Sequence, residues 1–213
     1  MGESTSTVSR VVVHPSARKQ GNPSTSSVRI YSRVEKEQTA VQLNRRKEIK
    51  RVLQRCWSSY RERAWLSDES APVSGSKKDT FGCWTATLAD TLITLWIADL
   101  KEEFHDGVEV LLEIDFTKIT QGETNVFETA IRYLGKFIAA FDLSGDRRLL
   151  DKAIEVAEML YTAFDTPNRM PITRWNVKDA AAGKPQLAGE GVLVAEIGSL
   201  SLEFARPRTD YKK

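Results

Sequence analysis

The run Asn125-Val126-Phe127-Glu128-Thr129-Ala130-Ile131-Arg132-Tyr133-Leu134-Gly135-Lys136-Phe137-Ile138-Ala139-Ala140-Phe141 decides the fold class. Phe127, Ile131, Leu134, Ile138 and Phe141 recur alternately four and three residues apart, which is the period of one helix face. Working outward, the same period returns. Val41, Ile49, Val52, Leu53, Cys56, Trp57 and Tyr60 fit one face of a helix ending near Trp65. Leu88, Leu92, Leu95, Trp96 and Leu100 mark a second, within Thr85 to Leu100. Leu149, Ala153, Val156, Leu160 and Phe164 mark another, and Leu193, Ile197, Leu200 and Phe204 a last one. The spacing predicts an all-α chain of about five helices, since no segment alternates strongly enough for a sheet. Two irregular connections interrupt the pattern: Ser67 to Thr80, with Pro72 and Gly75, and Asp165 to Gly191, with Pro167, Pro171, Gly183, Pro185 and Gly189. A connection as long as the second is a usual place for function in a compact domain.

Composition removes several function classes. Lys and Arg number 31 against 29 Asp and Glu, a formal net charge of +2. That near-balance argues against a dedicated nucleic-acid binder. Two cysteines make neither a disulfide scaffold nor a cysteine-based zinc module. The two histidines, His14 and His105, lie far apart in sequence. No run approaches the roughly 18 apolar residues of a transmembrane segment. Residues 1–33 carry Arg10, Arg18, Lys19, Arg29 and Arg33 against one acid, Glu3, and lack Leu, Phe and Trp. The expectation is a disordered Ser/Thr/Arg-rich tail over residues 1–40. Its acid-poor composition also fits a transit peptide, and Met1-Gly2 with Ser6 fits a myristoylation pattern. A globular part is expected over residues 41–206, and an unpatterned end over residues 207–213.

Three groups of residues could carry chemistry. Glu128 lies four residues before Arg132, so both share a helix face. The same Glu128 also fits a capping arrangement headed by Asn125, and Glu–Arg at this spacing is an ordinary surface pair. Glu196, Ser199 and Glu203 share one side of the last helix; paired carboxylates suit glycoside hydrolysis, but a solvated helix face reads the same way. Arg169-Met170-Pro171-Ile172-Thr173-Arg174-Trp175 combines aromatic and basic groups suited to sugars, or simply packs Trp175 onto the helices.

Taken in order, these segments resemble a known family. The run begins with Cys56-Trp57-Ser58-Ser59-Tyr60, Ala64-Trp65, Asp68-Glu69 and Pro72-Val73-Ser74. It continues with Asp79-Thr80-Phe81-Gly82, Trp84, Thr87-Leu88, Asp90, Leu92 and Thr94-Leu95-Trp96-Ile97. Asn125 to Gly135, Leu143-Ser144-Gly145-Asp146, Phe164 to Pro171 with Arg174-Trp175, and Ala195 to Phe204 complete it. Over roughly residues 41–205 the chain is similar to class I α-1,2-mannosidases, glycoside hydrolase family 47, with Phe164 to Trp175 resembling the fungal and Golgi-type branch. The resemblance implies an (α/α)7 barrel and an inverting, calcium-dependent hydrolase that trims α-1,2-linked mannose from high-mannose N-glycans in the endoplasmic reticulum and Golgi. It assigns Glu128 the general-acid position and makes Arg132 and Glu196 substrate-contacting residues.

The departures shape the expectation. The family usually has glycine at positions 83, 99 and 136 and aspartate at position 93; here stand Cys83, Asp99, Lys136 and Ile93. Cys56 and Cys83 do not correspond to the family's disulfide. The family's other active-site carboxylates and its calcium-holding threonine fall beyond the match, so no metal ligand is assigned. The chain is therefore expected to hold the N-terminal part of the barrel, to be inactive alone, and to self-associate through uncovered helix faces. A non-catalytic mannose-glycan binder and a decayed paralogue are the alternatives.

Overall fold

The computed structural model describes residues 25–119 and 122–210. The chain divides between Ile49 and Lys50 into two compact units. The division falls inside the first helix, α1 (Thr25–Arg63). In the first unit Val41, Leu43 and Ile49 are exposed. The disordered tail expected over residues 1–40 falls mostly on residues 1–24, which lie outside the described residues together with the transit and myristoylation patterns. From Thr25 the backbone is helical, well before the expected start at Val41. Glu35, Lys36, Glu37, Gln38 and Ala40 are good helix formers, and backbone helix needs no apolar stripe to propagate.

The second unit is mainly helical, and among its described residues each strand is two residues long. After α1 a small hairpin pairs β1 (Glu69–Ser70) with β2 (Lys77–Lys78). Then come α2 (Ala86–Ile97) and α3 (Lys101–Leu112). β3 (Thr124–Asn125) leads into α4 (Val126–Thr129), which continues through a π-helical segment, Ala130–Leu134, into α5 (Gly135–Ser144). Next come α6 (Arg147–Tyr161), β4 (Arg174–Trp175), α7 (Val177–Ala181), α8 (Val194–Gly198) and α9 (Leu200–Asp210).

Several of these differ from the spacing alone, among them α7, which falls inside the connection Asp165 to Gly191 read as irregular. α3 was not predicted as a separate helix: it follows α2 after only Ala98-Asp99-Leu100, so the two read as one run. The expected last helix is broken, with Ser199 between α8 and α9. α9 runs past Pro207 to Asp210, into the end expected to be unpatterned.

The apolar stripes explain the packing. α2 lies against α3 and α5, and α5 against α6. Leu88, Leu92, Leu95, Phe104, Val108 and Leu111 are fully buried between α2 and α3. Gly107 permits that approach, because a Cβ there would stand 3.1 Å from Leu88 Cδ1. Trp84, Phe116, Tyr133 and Phe137 form edge-to-face contacts in the centre, with centroids 5.2 to 6.2 Å apart, the favoured geometry for aromatic pairs. α6 presents Leu149, Ala153, Val156 and Leu160 to the same core. Asp146 caps its first turn by accepting from Arg148 N at 3.1 Å.

Candidate functional site

One buried carboxylate organises the approach to the site. Asp68 has no exposed surface. Its Oδ2 accepts from Phe81 N at 2.7 Å and Cys83 N at 3.0 Å, and its Oδ1 from Ala86 N at 3.1 Å. Its carbonyl accepts from Thr87 N at 2.9 Å and Thr87 Oγ1 at 2.7 Å. A charged acceptor serving three backbone N–H groups is a strong anchor. It pins the loop before α2 and satisfies an otherwise unpaired donor at that helix's start.

Asp90, one turn along α2, reaches the π-helical segment. Arg132 Nη1 donates to Asp90 Oδ2, and Arg132 Nε donates to Glu128 Oε2 at 2.7 Å. Lys136 Nζ stands 3.8 Å from Asp90 Oδ1. Arg132 Cζ lies 4.5 Å from the centroid of the Phe81 ring. All four charged side chains are about one-third exposed. Burial alone would lower the Arg132 pKa, but hydrogen bonds to Glu128 and Asp90 outweigh it and hold it above the usual arginine value.

The two readings of Glu128 are partly reconciled here. Asn125 Oδ1 accepts from Glu128 N at 3.2 Å, so the N-cap is present. The reciprocal half is replaced: the Glu128 carboxylate accepts from Arg132.

Glu196 sits elsewhere in the same unit, 3.6 Å from Arg174 Nη2. Arg174 belongs to β4, whose register places it opposite Asn125, the cap of α4. The β3–β4 ladder therefore sets the Glu196–Arg174 pair beside the start of the helix that carries Glu128. Glu196 and Glu203 do not form a pair along one helix, because the break at Ser199 separates them. Glu203 instead packs on the rod of α4 and α5: a Cβ at Gly135 would meet Glu203 Cγ at 3.4 Å. The buried Glu203 Oε2 has no hydrogen-bond partner among the described residues. Trp175 is buried and Arg174 exposed, so the aromatic part of that segment packs while Arg174 pairs with Glu196 and Arg169 with Asp165.

Spacing identified the Glu128–Arg132 pair and missed Asp90 and Phe81 as its partners. Both come from a segment about forty to fifty residues upstream, and only their place in the quoted motifs pointed to them.

The family's sequence profile, Glycosyl hydrolase family 47, matches residues 52–206. The chain belongs to glycosyl hydrolase family 47. It is 37% identical over 166 residues to mannosyl-oligosaccharide 1,2-alpha-mannosidase MNS1 of Arabidopsis thaliana, covering 77% of this chain and 29% of that protein. It is 36% identical over 187 residues to the endoplasmic reticulum mannosyl-oligosaccharide 1,2-alpha-mannosidase of Rattus norvegicus, covering 87% and 28%. The solved α-1,2-mannosidase from Trichoderma reesei superposes with a TM-score of 0.70 at 28% identity, over 80% of this chain and 37% of that one. The family 47 chain thus spans less than a third of these two curated relatives, and its helices match part of the family's helical fold. These likenesses do not resolve a branch within the family.

Among the described residues no three His, Cys, Asp or Glu side chains gather to hold a metal. The acids nearest the site are committed to cations, Glu128 and Asp90 to Arg132 and Glu196 to Arg174. The described residues thus offer calcium no cluster of carboxylates.

Proposed function

We propose that this chain carries the sugar-recognition part of an α-1,2-mannosidase site and that its 213 residues bind α-1,2-linked mannose without hydrolysing it. The observation that carries this reading is the Arg132 cradle. Nε and one Nη1 proton engage carboxylates, and a guanidinium has five N–H groups in all. Arg132 is therefore fixed in direction while keeping donors for sugar hydroxyls. Glu128 Oε1 lies outside that pairing and faces the general-acid role implied by the resemblance.

Turnover needs more. Inverting hydrolysis uses an acid and a base on opposite faces of the sugar, their carboxyl groups about 6.5–9.5 Å apart. Glu128 and Asp90 both serve the one guanidinium of Arg132, so Asp90 is committed to holding that arginine rather than to activating a water. Glu196 contributes to binding from the Arg174 side. The natural ligand in this reading is a high-mannose N-glycan, and the compartment is the secretory pathway, in keeping with the endoplasmic reticulum named in two relatives' descriptions. Among the described residues no helix is long and apolar enough to cross a membrane.

A glycan array tests the recognition. Binding to α-1,2-mannose-terminated glycans is expected for the purified chain and is expected to disappear in Arg132→Ala. Absence of binding by the unmodified chain would overturn the reading.

A further inference from the structure

We infer that Phe81 is a positioning residue for Arg132, set in place by the buried Asp68 carboxylate; this deepens the mannose-recognition reading and rests on it. Two carboxylates hold the guanidinium at its edges. Arg132 Cζ also lies over the Phe81 ring, 4.5 Å from its centroid, within cation–π range. Edge bonds alone leave the guanidinium free to tilt; a ring under its central carbon limits that motion and shields the cation from water on that side. Hydrogen bonds to sugar hydroxyls depend on N–H direction, so the tilt of Arg132 sets how well it meets a sugar.

The ring's position follows from the backbone. Phe81 N donates to Asp68 Oδ2 at 2.7 Å, the shortest of the three bonds to that carboxylate. Asp68 N in turn donates to Asp79 Oδ1 at 3.1 Å, closing the loop from its other side. The same carboxylate pins Ala86 N at the head of α2, and Asp90 stands one turn along that helix. A single buried group thus sets two of the three neighbours of Arg132; the third, Glu128, comes from the arginine's own helix. Phe81 is half-buried and packs against the core as well as lying under the cation, so fluorination, which keeps the ring's shape and its core packing, separates the two roles.

The test is made on the whole chain labelled with ¹⁵N-arginine, the Arg132 Nε–H signal being assigned by its loss in Arg132→Lys. In the unmodified chain that proton is expected to exchange slowly. In Phe81→Leu its exchange should rise, and α-1,2-mannobiose affinity fall, roughly three- to tenfold, the worth of a partly desolvated cation–π contact. Phe81→Tyr should restore both. Stepwise fluorination of the ring keeps its shape while draining its negative face, and should weaken both readouts in step; it decides the matter if Phe81→Leu fails to fold. Unchanged exchange in a folded Phe81→Leu chain, or indifference to fluorination, would overturn the inference. Exchange that follows the ring in a chain that binds no mannobiose would uphold the positioning role and defeat the recognition reading.

Discussion

At Cys83 the backbone φ is +64°, and at Asp99 it is +58°. Both lie in the left-handed region that an ordinary side chain enters at a cost of about 1–2 kcal/mol. These are two of the three positions where the family resemblance leads one to expect glycine, and the conformation supplies the reason. Cys83→Gly is therefore expected to raise unfolding free energy by about 0.5–1 kcal/mol, since the hydrogen bond from residue 83 N to Asp68 survives the change. Denaturant unfolding measures it, and a loss of stability would contradict the account. The third position, Lys136, is different. It lies in α5 with helical neighbours and reaches toward Asp90, so the side chain adds a second cation to a carboxylate already serving Arg132. Residue by residue, the local pair Glu128 and Arg132 was legible because helical spacing alone makes neighbours of positions four apart. Asp90 and Phe81 were not, because tertiary packing makes them neighbours and no local period records it.

The central element is the rod from Val126 to Ser144. Its π-helical segment, Ala130–Leu134, holds both Arg132, toward the site, and Tyr133, in the core. Such segments are frequent at functional sites. Tyr133 is 1% exposed and its hydroxyl has no partner among the described residues. Burial first, and then the carboxylates of Asp68 and Asp90, push its phenol pKa above the ordinary value near 10. A group whose folded pKa is raised contributes stability that is intact below its unfolded pKa and is lost as pH rises above it. The chain should therefore lose stability above about pH 10. Tyr133→Phe should lessen that loss while leaving stability near pH 8 little changed; Tyr60, raised by its own burial, accounts for part of the remainder. Unfolding curves taken on both sides of that pH check it, and an identical alkaline loss in Tyr133→Phe would count against the assignment. At this scale the stripes of α2, α5 and α6 were readable in sequence, because each faces one continuous core. The boundary between α2 and α3 was not, because it turns on a positive φ at Asp99 rather than on a glycine or proline. The break at Ser199 was hidden for a related reason: Leu193, Ile197, Leu200 and Phe204 keep a helical period across it.

At the scale of the molecule, the second unit leaves apolar surface uncovered near its later helices. Leu187, Leu193, Val194 and Leu202 are 63–79% exposed, and a cleft of about 1320 Å³ opens between Phe164, Ile172, Phe204 and the segment around Pro185. Exposed apolar side chains and an apolar cleft favour association. The 213-residue chain is expected to sediment with a concentration-dependent average mass, which Leu202→Glu should shift toward the monomer; a compact monomer at every concentration would refute this. The site makes a separate demand. If recognition rests on the Arg132 cradle and turnover needs carboxylates that the cradle does not supply, binding and catalysis separate in this chain. Proton NMR of α-1,2-mannobiose mixed with the purified chain reads both at once. The account predicts saturation transfer from protein to disaccharide, unchanged by calcium or a chelator, with no free mannose accumulating. Absence of transfer, or the appearance of free mannose, would contradict it.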